Sequence, residues 1–221
     1  MNKVIIISLY LFLSLGLLSS CESEAIKKDR LAKIENSRIE QQRRDEEEKR
    51  KIALVEAEEL RLKNIRIEEE RKEKTIYDKY INNSLWTGAT PYSNCFGDNG
   101  SCSGRGCSQI IVKTPSNSDV MVTIKKNDQV FRHAYIKANR SFTFDFPNGT
   151  YQAFFYYGKG WNPNKEMKRT SSGIVKGGFI ADEVFGKDNP QLIENGILTY
   201  ELILQTNGNF TTQASSRNEA F

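Results

Sequence analysis

From Cys21 to Thr87 the chain contains neither glycine nor proline, whereas all five of its prolines lie at or after Pro91. A stretch this long without either helix breaker admits few folds other than a continuous helix. Between Glu22 and Tyr80 there are 17 Lys/Arg and 17 Asp/Glu among 59 residues, too many charges for a core of its own. They are ordered as an isolated helix requires, acid before base at a spacing of four: Glu24/Lys28, Asp29/Lys33, Glu40/Arg44, Asp45/Lys49, Glu46/Arg50, Glu47/Lys51, Glu59/Lys63, Glu68/Lys72 and Glu70/Lys74. Each such pair adds about 0.2 to 0.5 kcal/mol to a solvated helix. The run Glu40 to Lys51 contains no apolar residue, which rules out an unbroken coiled-coil seam. Ala53, Ala57, Leu60 and Ile67 share one face and permit only a short local association. Residues 21–84 are therefore expected to form a charged helical stalk, a single helix or a weak coiled coil. About 50 helical residues at about 1.5 Å each reach roughly 75 Å.

The segment before this helix has the three-part layout of an export signal. Asn2 and Lys3 open it, Val4 to Leu18 is an apolar core, and the small pair Ser19-Ser20 precedes Cys21. The core is short and poorly flanked for a membrane span. Leu18-Ser19-Ser20-Cys21 resembles the lipobox of bacterial lipoproteins. The resemblance implies a signal peptide at residues 1–20, a diacylglycerol on the Cys21 thiol, cleavage just before it, and a mature chain held on a membrane from the exported side. Whether that is an inner-membrane, outer-membrane or cell-surface position is left open, and two or three acyl chains suffice for a stable anchor.

The net charge is +4 over 221 residues. Lys3 carries one of these charges and the stalk balances to zero, leaving +3 on residues 81–221. Mild basicity without a dense basic stripe and interleaved aromatics excludes a nucleic-acid binder and leaves envelope polymers, lipid headgroups or proteins as partners.

Beyond residue 84 the pattern changes to short strands. "DVMVTIKK" alternates Val120, Val122 and Ile124 with Met121, Thr123 and Lys125, which describes a half-buried strand. Phe142, Phe144 and Phe146 share a face, as do Leu198, Tyr200, Leu202 and Leu204. Asn148-Gly149 and Asn207-Gly208 fall where hairpin turns need positive φ. With the runs beginning at Ser108, Gln129, Thr150 and Gly177 there are seven or eight candidate strands. The expected fold is mainly β, an antiparallel β-sandwich over residues 85–213 preceded by the helix, with a flexible tail at 214–221.

Pro147, Gly149 and Tyr151, then a strand closed by Gly158, Gly160 and Trp161, look like the Pro-x-Gly-x-Tyr turn and Gly-aromatic close of prealbumin-like sandwiches. The PEGA and carboxypeptidase-regulatory-like modules are examples. The resemblance covers about Val120 to Trp161 and implies a non-catalytic accessory or binding module. The segment Asn162 to Lys176 and the cysteine-rich start depart from that pattern.

With Cys21 assigned to lipid, Cys95, Cys102 and Cys107 leave an odd count in an exported chain. One disulfide and one free thiol are expected, with three pairings open. The odd cysteine or the stalk would serve a homodimer. Cys-x6-Cys-x4-Cys with His133 matches no compact zinc spacing, so no metal site is assigned. His133, the only histidine, is expected on a strand face with Phe131 and Tyr135, packed rather than catalytic. No nucleophile elbow, phosphate loop or His-Glu-x-x-His run occurs, and the adjacent Asp182 and Glu183 point apart and are expected to be solvated. No catalytic residue and no cofactor are assigned.

One surface candidate remains. Tyr156, Tyr157 and Trp161, beside Lys159 and flexible glycines, would stack on a sugar ring or an extended peptide if exposed, and would fill the sandwich if buried. The expected function is a lipid-anchored envelope module that binds or braces. Two alternatives from other classes are a hydrolase of envelope glycan or peptide, and a pure scaffold without a ligand.

Overall fold

The computed structural model describes residues 24–171, 173–203 and 213–221. Two compact units divide the chain after Glu68. Helix α1 (Glu24–Tyr80) is 57 residues long and buries none of them. The expected spacing-of-four pairs Asp29–Lys33 and Glu47–Lys51 are closed, at 2.8 Å and 2.7 Å. Spacing-of-three pairs join them, Glu35–Arg38 at 2.8 Å and Glu58–Arg61 at 3.3 Å. Lys74 pairs forward with Asp78 at 2.8 Å. All of these are exposed, so they support the helix locally and lend nothing to a core. Among the described residues no helix is long and apolar enough to cross a membrane. Residues 1–20 and Cys21 lie outside the described residues.

The β-rich unit begins within the last turns of α1. Its elements are α2 (Ser93–Phe96), β1 (Cys107–Lys113), β2 (Asp119–Lys126), β3 (Gln129–Ile136), β4 (Ser141–Pro147), β5 (Gly149–Thr170), β6 (Gly173–Lys187), β7 (Gln191–Ile193), β8 (Ile197–Glu201), β9 (Gln213–Ala214) and α3 (Arg217–Ala220). One sheet has three strands ordered β4-β1-β8; the other is ordered β3-β2-β5-β6-β9, with β7 paired to the start of β5.

The two sheets close on one apolar layer. Ile110, Val112, Phe144 and Phe146 from the smaller sheet meet Val120, Val122, Ile124, Ala134, Ile136, Phe155 and Tyr157 from the larger, with Phe142, Leu198 and Tyr200 packed at the margin. The Phe142/Phe144/Phe146 face and the Leu198/Tyr200/Leu202 face are thus inward as their alternation requires. Leu204 and Asn207-Gly208 lie outside the described residues.

Four expectations need correction. The sheets are not wholly antiparallel: β1 and β8 run parallel, with Ile110 opposite Leu198 and Val112 opposite Tyr200. A parallel pair needs a long crossover, and here the crossover builds most of the larger sheet. Alternation is blind to strand direction, so the sequence carries no sign of it. Asn148-Gly149 is not a hairpin turn, because β4 and β5 belong to different sheets. The step between them is held by Asn148, whose Oδ1 accepts from Ser108 Oγ at 2.7 Å and from the Asn195 backbone at 2.9 Å. A tight turn does occur at Asn127-Asp128, whose φ values of 52° and 60° suit a two-residue hairpin between β2 and β3.

β2 is not half-buried. Val120 through Ile124 are all buried, because a second apolar cluster covers the other face of the larger sheet. It contains Met121, Tyr135, Phe154 and Tyr156 from the sheet, Ala89 and Tyr92 from the segment after α1, and Trp161, Met167, Val175 and Phe179 from the β5–β6 hairpin. The segment Asn162 to Lys176 that broke the sequence pattern is the far part of this hairpin, which pairs to its tip at Thr170 and Gly173. Gly160 lets the chain cross there: its φ is +68° and a Cβ would lie 2.7 Å from the Ile81 backbone. Gly177, at φ +113°, lies so close to the Trp161 indole that a Cβ would sit 2.6 Å away.

The flexible tail expected at 214–221 is instead docked. Ser216 caps α3 through a reciprocal capping box with Glu219. Thr123 Oγ1 donates to the Ala220 carbonyl at 2.7 Å, and Lys168 Nζ to Asn218 O at 2.8 Å. Lys187 Nζ meets Glu219 Oε1 at 2.7 Å. Ala220 and Phe221 are buried in the second cluster, with the Phe221 ring 5.2 Å from Tyr92. A polar tail ending in an aromatic reads as disordered by composition, and its anchor becomes visible only with the pocket that receives it. Replacing Phe221 by Ala should lower the stability of the β-rich unit by about 3 kcal/mol, read from the urea midpoint at constant slope.

Candidate functional site

The second cluster carries the polar chemistry of the molecule. A β-bulge in β3 separates Phe131 from its neighbours: Ile124 pairs with Arg132 but Lys125 pairs with Val130. The extra residue turns Phe131 toward Phe146 and Tyr151 in the inter-sheet layer, while His133 and Tyr135 face the second cluster. The shared face expected for Phe131, His133 and Tyr135 therefore holds only for the last two. His133 is buried and stacked on Tyr92 at 5.7 Å. Its Nε2 accepts from the Tyr92 backbone at 3.2 Å. The Asn99 side chain accepts from the His133 N–H at 3.1 Å and donates to its carbonyl at 2.8 Å, standing in for a neighbouring strand. Burial holds the imidazole pKa down to about 4, against the pull of a backbone hydrogen bond to Thr90 and the charge of Asp98.

Tyr156, Tyr157 and Trp161 are 1, 2 and 1 % exposed, so they are core residues and present no stacking face. Tyr157 points into the inter-sheet layer, and Tyr156 and Trp161 into the second cluster. The Tyr156 hydroxyl donates to Glu183 Oε1 and accepts from the Phe179 N–H at 2.8 Å. Burial pushes the Tyr156 phenol well above its usual range, and the Glu183 hydrogen bond adds to the shift. Glu183 is exposed as expected but is also paired: its other oxygen meets Lys165 Nζ at 2.5 Å, and that amine also donates to the Phe179 carbonyl at 2.6 Å. Asp182 turns the other way, at φ +55°, to meet Lys159 at 2.8 Å on the exposed side. The two carboxylates do point apart, and each has its own lysine. This arrangement suits latching the hairpin onto the sheet rather than passing protons, because the phenol stays protonated and the carboxylate stays paired.

Cys102 and Cys107 form the disulfide, with Cα atoms 5.8 Å apart, and Cys95 is a partly buried free thiol beside the second cluster. Of the three pairings left open by the sequence, the structure selects the one with the shortest loop. Among the described residues no group of three or more His, Cys, Asp or Glu is placed to hold a metal ion.

The site missed by sequence reasoning is a groove of about 700 Å³ between the end of α1 and the hairpin. Glu70, Glu73 and Tyr77 line one side, and Asn162, Lys165 and Ile180 the other. Tyr77 is 46 % exposed, the aromatic face that the buried Tyr156 and Trp161 do not supply. Carboxylates, an amide, the amines of Lys74 and Lys165 and one open ring give acceptors, donors and a stacking surface in a space of small-ligand size. No local signal could have found it, since its two walls are about 90 residues apart in the chain. Compared with known proteins, the chain matches no family model, no curated protein and no solved structure.

Two outcomes follow from this chemistry. Above about pH 6.5 the imidazole is neutral in both folded and unfolded chains. As pH falls from about 6.5 toward 4, the unfolded chain takes up a proton that buried His133 refuses, so stability falls by up to about 3 kcal/mol. Urea melts at pH 7 and 5 should show about 2 kcal/mol of this loss in the wild type and a smaller one in His133→Gln. Thiol titration should find Cys95 reactive and Cys102 and Cys107 protected, and reduction should lower stability by only about 2 kcal/mol because the closed loop is short.

Proposed function

We propose that the chain is an exported lipoprotein in which residues 1–20 direct export, Cys21 carries the lipid, and α1 acts as a stalk for a non-catalytic module. The observation that carries this reading is that α1 spans 57 residues and buries none of them. A helix of that length outside any core supplies reach, and it begins three residues after the cysteine of the lipobox-like motif.

The two sheets closing on a single apolar layer favour a β-sandwich over residues 85–213. The Tyr151 hydroxyl donating to the Pro147 carbonyl at 2.7 Å, from within the Pro-x-Gly-x-Tyr turn, favours the prealbumin-like resemblance. The module binds or braces a component of the cell envelope, a glycan or a protein, on the periplasmic face or the cell surface. The groove beside Tyr77 is its contact surface, because it combines an open ring with donors and acceptors of both signs.

Mass spectrometry of the mature N-terminus tests the reading. The wild type should begin at a diacylglycerol-modified Cys21 and fractionate with membranes, whereas Cys21→Ser should be unacylated and either uncleaved or soluble. Cleavage at another position, or an unmodified Cys21 in the mature chain, overturns the lipoprotein assignment.

A further inference from the structure

The apolar residues of α1 stand uncovered: Leu60 and Ile67 are 58 % and 50 % exposed. Ala53, Ala57, Leu60, Asn64 and Ile67 follow one another at spacings of four and three. In heptad terms they occupy d, a, d, a and d, a single stripe on which two helices can interlock. The preceding core positions are Glu46 and Arg50 and the following ones Arg71 and Lys74, so the seam is confined to about two heptads.

Three features of that stripe specify its occupant. The two alanines allow close approach of a second backbone. Asn64 sits at an a position, where it meets its own counterpart in a parallel pair but faces an apolar d residue, Ala53, Leu60 or Ile67 according to register, and is left unpaired, in an antiparallel one. The flanking charges agree: at g, Glu56 faces Arg61 at e of a parallel second copy, and Lys63 faces Glu68. Both contacts join opposite charges and each is made twice. Antiparallel pairing keeps only four of the five stripe residues together: one register brings Lys63 to Lys63 and Arg61 to Arg61, and the other, although it sets Glu56 against Lys63, places Arg50 against Ile67 and Asn64 against Ala53.

We propose that residues 53–68 of α1 dock against the same segment of a second copy of this chain as a short, parallel, in-register two-stranded coiled coil. Glu58, which holds Arg61 at 3.3 Å within one helix, is exchanged in the pair for Glu56 of the other copy. The pairing is a property of the helix and does not rest on the lipid: acylation is read at Cys21 by mass, dimerisation by the measurements below, and either can fail alone.

The test uses the full chain carrying Cys21→Ser and Cys95→Ser, so that introduced thiols report the seam. Asn64→Cys should form a disulfide-linked dimer on mild oxidation, and Leu62→Cys, at the outward f position, should not. In sedimentation equilibrium Glu56→Lys should weaken dimerisation roughly tenfold, and adding Arg61→Glu should restore it by recreating the cross-chain pair with reversed sign. Circular dichroism keeps loss of the helix separate from loss of pairing. A wild type that stays monomeric, crosslinking at Leu62→Cys equal to that at Asn64→Cys, or a double charge reversal that fails to restore the dimer each overturns the proposal.

Discussion

The β-rich unit depends on the burial of β2 from both sides. Val120, Val122 and Ile124 press into the layer shared with the smaller sheet, and Met121 and Thr123 into the second cluster. A strand buried on both faces needs two covering layers. The smaller sheet provides one. The other is assembled from parts that have no independent stability: a short segment after α1, a curled hairpin, and the Arg217–Phe221 turn. Each fully buried aromatic among them contributes about 1.5 to 3 kcal/mol relative to exposure, and that burial is what holds such irregular chain in place.

Polar groups enter this second layer only where a partner is fixed. Tyr92 donates its hydroxyl to the Gly177 carbonyl at 2.8 Å, His133 takes the Tyr92 backbone N–H, and Thr123 takes up the Ala220 carbonyl. Tyr135 donates to Asp119, whose other oxygen accepts from the Ala138 N–H at 2.7 Å. A buried polar group without a partner is costly, so these bonds select one arrangement of the segment, hairpin and C-terminal turn over others of similar apolar content. Burial in the same layer sets the electrostatics: phenols pushed upward and an imidazole pushed downward are consequences of packing, and the buried imidazole makes the layer's stability pH-sensitive.

The two proposals draw on two kinds of surface. α1 is solvated throughout its length, stabilised by local ion pairs and available along the Ala53–Ile67 stripe for a partner helix. The β-rich unit offers a groove where the final turns of α1 meet the hairpin, and its most accessible aromatic there, Tyr77, belongs to the helix and not to a strand. Because the end of α1 supplies one wall of the groove, the proposed contact surface includes the helix as well as the strands.

The amino-acid order alone determined what is local. A stretch without glycine or proline and with charges in register for one another is a helix whatever surrounds it, and α1 is that helix. Strict alternation around Phe144 and around Leu198 named the inward faces of β4 and β8, because one side of those strands meets apolar side chains and the other meets water. An odd number of cysteines implied a leftover thiol. What depended on a second layer escaped: β2 read as half-buried because Thr123 and Lys125 look like a wet face, Phe131 and His133 were set together because a bulge leaves no mark in a strand pattern, and Tyr156 and Trp161 stayed open between exposed and buried because part of their cover, Tyr92 and Phe221, comes from about 60 to 70 residues away. The parallel β1–β8 pair, the choice of Cys102 with Cys107, the docked Phe221 and the Tyr77 groove were decided only in the tertiary structure. Each joins distant segments, and the free energy of such a contact belongs to both partners at once, so neither segment carries its signature alone.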